Sequence, residues 1–94
     1  MRILCVCRSG IYRSVETKRE LNRRGYDDVI AVGGLKVGKE TLDMLCNWAD
    51  TILLAKPIHG KRIKRGYGFK IEKDFYIGSD MQGIVKKQLD KIKL

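Results

Sequence analysis

In the run Cys7-Arg8-Ser9-Gly10-Ile11-Tyr12-Arg13-Ser14, a thiol stands at one end, an arginine and a hydroxyl at the other, and a glycine between. These residue types suit the capture of an oxyanion and nucleophilic attack on it. The five residues between Cys7 and Arg13 let one loop encircle a phosphate, sulfur beneath it and guanidinium at its side. In such a loop the backbone N–H groups of residues 8 to 13 can point inward and line an anion-binding concavity. Gly10 supplies the positive φ that a tight loop requires, and the planar fork of Arg13 can grip two equatorial oxygens. A helix starting near Arg13 adds partial positive charge, so a thiol placed there is favoured as thiolate. Ser14 can donate a hydrogen bond to that sulfur. The plainer reading of Cys7 is a buried structural cysteine ending a strand beside an ordinary basic helix start.

The loop needs a strand to deliver it and a helix to carry the chain away. Residues Arg2 to Val6 read as a fully buried strand. Ser14 to Arg24 reads as a helix with Gly25 in the C′ place. Its Val15 and Leu21 point inward, and Glu16, Lys18, Arg19, Glu20 and Arg23 crowd its polar face. Val29 to Val32 reads as a second strand, Glu40 to Ala49 as a second helix, and Thr51 to Ala55 as a third buried strand. A short helix over residues 57 to 65, a short fourth strand from Phe69 to Ile71, and a last helix capped by Ser79 or Asp80 complete the chain. Alternating strands and helices predict an α/β sandwich with a parallel sheet, in one domain spanning residues 1–94.

The Cys7 to Ser14 loop after a first strand resembles that of the low-molecular-weight protein tyrosine phosphatases, especially their short bacterial and phage members. That family's loop reads Cys-x5-Arg-Ser/Thr. Trp48-Ala49-Asp50 before an apolar strand is also similar to the short members. The resemblance implies a phosphatase I-like fold with a four-stranded sheet in the order 2-1-3-4. It also implies a phosphocysteine mechanism, with Cys7 as nucleophile, Arg13 as phosphate clamp, and the loop Arg8, Ser9, Gly10, Ile11, Tyr12, Arg13 and Ser14 binding phosphate. No metal or cofactor is expected. Two positions depart from the family: Gly10 replaces a usual asparagine, and Tyr12 replaces a second cysteine that gives many members redox protection.

Phosphocysteine chemistry also needs a general acid, which must lie on a loop at the same sheet edge. Asp74, after the predicted fourth strand, fits that place, and Asp74-Phe75-Tyr76 is similar to the family's late Asp-Pro-Tyr loop without its proline. Phe75 and Tyr76 could wall an aromatic substrate ring. Asp80 is the alternative acid, with helix capping as its other reading; Asp74 could equally be an ordinary loop aspartate.

Other motifs carry less. Gly33-x4-Gly38-Lys39 nearly spells a nucleotide-binding P-loop, but Glu40 stands where magnesium needs Ser or Thr, and Thr41 is one place late. Those glycines read as the turn after strand two. Cys5 and Cys7 form a Cys-x-Cys pair with no second cluster to complete a zinc site. Cys46 reads as core, and His59, the only histidine, as a surface or capping residue.

Twenty Lys and Arg against 11 Asp and Glu leave a net charge of +9, which favours an anionic partner: a phosphorylated protein, a small aryl phosphate or a nucleic acid. Seven of the basic residues fall between Lys56 and Lys73, where they could border the approach to the loop. No apolar run reaches membrane-spanning length and no leader is apparent, so a cytoplasmic protein is expected. Three cysteines without metal spacing agree with a reducing compartment. Two further classes remain: a cysteine phosphocarrier of the sugar phosphotransferase type, which generally lacks the arginine, and a non-catalytic module binding an anion or nucleic acid. Arsenate reduction would need relay cysteines that Cys5 and Cys46 do not obviously provide.

Overall fold

The computed structural model describes residues 1–7, 13–34, 36–54, 71–74 and 81–91. Within them the order is β1 (Ile3–Cys7), α1 (Arg13–Arg23), β2 (Val29–Gly33), α2 (Lys39–Trp48), β3 (Thr51–Leu54), β4 (Ile71–Asp74) and α3 (Met81–Asp90). β1 lies between β2 and β3, parallel to both, with Ile3 opposite Val29 on one side and Thr51 on the other. β4 adds to β3, again parallel, so the sheet runs β2-β1-β3-β4. The architecture is α/β, a parallel sheet flanked by helices.

A sheet covered on both sides needs apolar residues at every position of its strands, and β1 and β3 are buried throughout. Alternation divides them into two cores. Ile3, Cys5, Val29 and Leu53 pack with Leu21 of α1 and with Val85 and Leu89 of α3. Leu4, Val6, Val32, Ile52 and Leu54 pack with Leu42 and Cys46 of α2. Leu21 and Leu42 are fully buried, each worth about 1.5–3 kcal/mol relative to exposure.

Several boundaries and faces differ from expectation. β1 ends at Cys7 rather than Val6, because the ladder with β2 extends to Cys7 opposite Gly33. The inward stripe of α1 is Ser14, Thr17, Glu20 and Leu21, whereas Val15 is only half-buried. Positions 14, 17 and 21 share one helical face, and Val15 lies about 100° away from Ser14 on a 3.6-residue helix. Glu20, expected on the polar face, is buried with its carboxylate bonded to Arg23 and Arg24. Arg24 in turn donates to Asp90 and to the Lys86 carbonyl, tying α1 to α3. Gly25 follows α1 at φ +98, the left-handed C′ conformation expected of it.

The fourth strand is Ile71–Asp74, so it runs past Ile71, where the expected Phe69–Ile71 strand ends. Its Glu72, Lys73 and Asp74 hide it from a hydrophobic pattern, yet charged residues are tolerated on a strand that, among the described residues, is paired on one side. The register slips between Ile52 and Leu53, so Ile71 opposes Ile52 but Lys73 opposes Leu53. The last helix starts at Met81. Its expected caps, Ser79 and Asp80, lie outside the described residues, as do Phe69 and the helix expected over 57 to 65. Among the described residues, no helix is long and apolar enough to cross a membrane.

Candidate active site

β1 is the strand from which the chain goes first to β2 on one side and later to β3 on the other. The carboxyl end of such a strand is the switch point where open α/β sheets bind ligands. Cys7 occupies it. α1, 11 residues long, begins at Arg13 and returns along β1, so its N-terminus lies beside Cys7.

The contact that joins them is between side chains: Cys7 Sγ and Ser14 Oγ are 3.1 Å apart, both residues buried. The first turn of α1 is held by Thr17, whose Oγ1 donates to the Arg13 carbonyl at 2.7 Å. Thr17 is fully buried; its place three residues after Ser14 and four before Leu21 marks it in the sequence as part of the inward face. Arg13 is half-buried. The remaining loop residues expected to bind phosphate, Arg8, Ser9, Gly10, Ile11 and Tyr12, lie outside the described residues, as do Phe75, Tyr76 and Asp80.

Asp74 ends β4 at the same carboxyl edge. It pairs with Leu54, which pairs with Val6, so its backbone sits two strands from β1 and one residue short of Cys7. With strands about 4.8 Å apart, that lateral separation is about 10 Å.

The turn after β2 borders the site from the other flank. Gly34 donates its backbone N–H to the Cys7 carbonyl at 2.7 Å, and the Lys36 and Val37 N–H groups close on the Gly33 carbonyl. Gly38 is the N-cap of α2, in extended conformation, and Lys39 is its exposed first residue. Gly33 and Gly38-Lys39 thus form a turn and a helix cap beside the cysteine.

The other two thiols are set apart. Cys5 lies on the same strand and face as Cys7; burial above all, and then Cys7 itself, raise its pKa well above the ordinary thiol value, with Lys18 acting the other way. Cys46 lies in the core on the opposite face, its pKa pushed up to about 11 by burial and by Asp43. Among the described residues, no group of three or more His, Cys, Asp or Glu is placed to hold a metal ion. His59 lies outside them.

No protein-family model, no curated protein and no solved structure matches this chain.

Proposed function

We propose that this protein is a cysteine-dependent phosphomonoester hydrolase acting on phosphotyrosine or a similar aryl phosphate, on a fold of the low-molecular-weight phosphatase type. The observation that carries the reading is the 3.1 Å contact of Cys7 Sγ with Ser14 Oγ at the helix N-terminus. A hydroxyl so placed can donate to a thiolate, and a helix N-terminus favours that charge on a cysteine nucleophile.

In this mechanism Cys7 Sγ attacks phosphorus, the S–P bond forms and the P–O bond to the aryl group breaks. The equatorial oxygens are held by the Arg13 guanidinium and by the N–H groups of residues 8 to 13. Asp74 gives its proton to the departing oxygen, then accepts one from water as that water attacks the phosphocysteine. Sulfur leaves as thiolate, with the Ser14 hydroxyl donating to it, and inorganic phosphate is released. The site calls for no metal or cofactor. The net charge of +9 supports an anionic partner, with phosphorylated protein ahead of nucleic acid.

The test is hydrolysis of an aryl phosphate across pH 5 to 8 by the wild type, Cys7→Ser and Asp74→Asn. Turnover should vanish in the first variant, with phosphate or sulfate still bound, and fall sharply in the second. Substantial residual turnover in Cys7→Ser would sink the mechanism. Loss with Cys7 but indifference to Asp74 would move the acid to Asp80 or elsewhere. A stable phosphocysteine that passes to a second protein without hydrolysis would make the chain a phosphocarrier.

A further inference from the structure

The turn that mimics a nucleotide-binding loop in the sequence has a different use. β1 is bonded on both flanks as far as Val6, opposite Val32 on β2 and Leu54 on β3. Among the described residues, Cys7 is paired with β2, opposite Gly33, and the last ladder bond runs from the Gly34 N–H to the Cys7 carbonyl at 2.7 Å. Gly34 is buried. The turn is closed behind it by the Lys36 and Val37 N–H groups on the Gly33 carbonyl, at 3.1 and 2.9 Å. The donor is therefore held in place from both sides, by the strand before it and the turn after it.

A backbone carbonyl carries partial negative charge on its oxygen, a few ångströms from the side chain of its own residue. Turned toward the site, that oxygen would oppose both a thiolate and a bound anion. We propose that the Gly34 amide is a positioning group for the nucleophile: it keeps the Cys7 carbonyl turned to β2, neutralises it there, and so favours the thiolate on the other side of the residue. This inference rests on the nucleophilic reading of Cys7. Among the described residues, Cys5 shares the strand and face of Cys7, Arg13 and Lys18 stand on α1, Asp74 ends β4 two strands away, and Lys36 and Lys39 follow Gly34 on the turn and at the start of α2. β2 and β3 present Gly33, Gly34 and Leu54. The bond that Gly34 makes to Cys7 on that flank is a backbone one, independent of these side chains.

The chain of 94 residues can be assembled by chemical ligation at Cys46, which allows the Gly34 peptide nitrogen to be replaced by an ester oxygen. The readout is the pH dependence of Cys7 alkylation by iodoacetamide, which needs no phosphate ester. The ester at Gly34 should raise the midpoint by about one pH unit, slowing alkylation about tenfold at pH below the midpoint. The same ester placed at Lys36, which loosens the turn without touching Cys7, should leave the midpoint where it was. An unchanged midpoint in the folded Gly34 ester, or equal shifts from both esters, would overturn the inference. Should that ester fail to fold by circular dichroism, the wild type decides: the Gly34 amide proton resonance should titrate with the alkylation midpoint and stay still in Cys7→Ser. A resonance that does not move with Cys7 would overturn it. A wild-type midpoint at the ordinary thiol value would instead bring down the nucleophilic reading on which this one stands.

Discussion

Replacing Ser14 by alanine removes one oxygen from a buried place and tests what that oxygen is for. Ser14 and Cys7 are 2% and 3% exposed, so water does not substitute for the lost hydroxyl. A hydrogen bond to a charged group is worth about 1.5–3 kcal/mol and one between neutral groups about 0.5–1.5 kcal/mol. The hydroxyl, 3.1 Å from sulfur, therefore favours thiolate over thiol by the difference, about 1–1.5 kcal/mol, or about one pKa unit. Ser14→Ala should raise the midpoint of Cys7 alkylation by about one unit while costing only about 0.5–1.5 kcal/mol of folding stability. Mass spectrometry of iodoacetamide-treated protein reads this directly. Cys5 and Cys46 serve as internal controls, since both are buried with raised pKa values. A midpoint unmoved in Ser14→Ala, with urea unfolding little changed, would show that the hydroxyl merely fills space and that Cys7 is not tuned by it.

Gly25→Ala should cost about 1–2 kcal/mol in urea unfolding; since nothing lies within 4 Å of the new Cβ, the cost is all backbone, and D-alanine at the same place should restore stability. In the network between α1 and α3, Glu20→Gln should cost about 1–2 kcal/mol because that carboxylate is buried. Asp90→Asn, on the exposed end of the same Arg24, should cost about 0.2–1 kcal/mol and lose its effect in high salt; equal costs would refute that ranking. The Cys46 thiol ionises near 9.0 when unfolded and about 11 when folded, so its contribution is complete below pH 9 and declines as pH climbs toward 11. The decline amounts to about 2–3 kcal/mol. Cys46→Ala, though less stable throughout, should lose its share of that alkaline slope.

The elements were legible because two periods dominate the chain. Continuous apolar runs such as Ile3-Leu4-Cys5-Val6 and Ile52-Leu53-Leu54 announce buried parallel strands, and Leu42 with Cys46 marks the inward stripe of α2. What escaped has a physical reason in each case. Thr17 and Glu20 are polar residues whose burial depends on partners within the helix and beyond it, a backbone carbonyl for one and arginines for the other. The N–H of Gly34 reaches Cys7 across the sheet, and a backbone bond leaves no mark in residue type. The slip between β3 and β4 likewise depends on pairing, so Asp74 could be assigned to the late part of the chain but not to its register.

The separation of the three cysteines bears on what oxidation would do. Same-face neighbours on one strand stand about 6.5–7 Å apart, whereas a disulfide wants its Cβ atoms about 3.5–4.5 Å apart; Cys5 therefore cannot reach Cys7 without breaking β1. Cys46 is shut off by the sheet itself. A sulfenic acid formed on Cys7 by peroxide thus has no thiol within the chain to condense with. Its rescue depends on a thiol from outside, such as glutathione, forming a mixed disulfide with loss of water; without one, further peroxide carries the sulfur to the irreversible sulfinic state. Peroxide-treated protein should gain mass at Cys7 by oxygen or by glutathione, and an internal cross-link two mass units lighter would contradict the geometry. The sheet that shelters Cys5 and Cys46 also leaves the recovery of Cys7 to the reducing power of the surroundings.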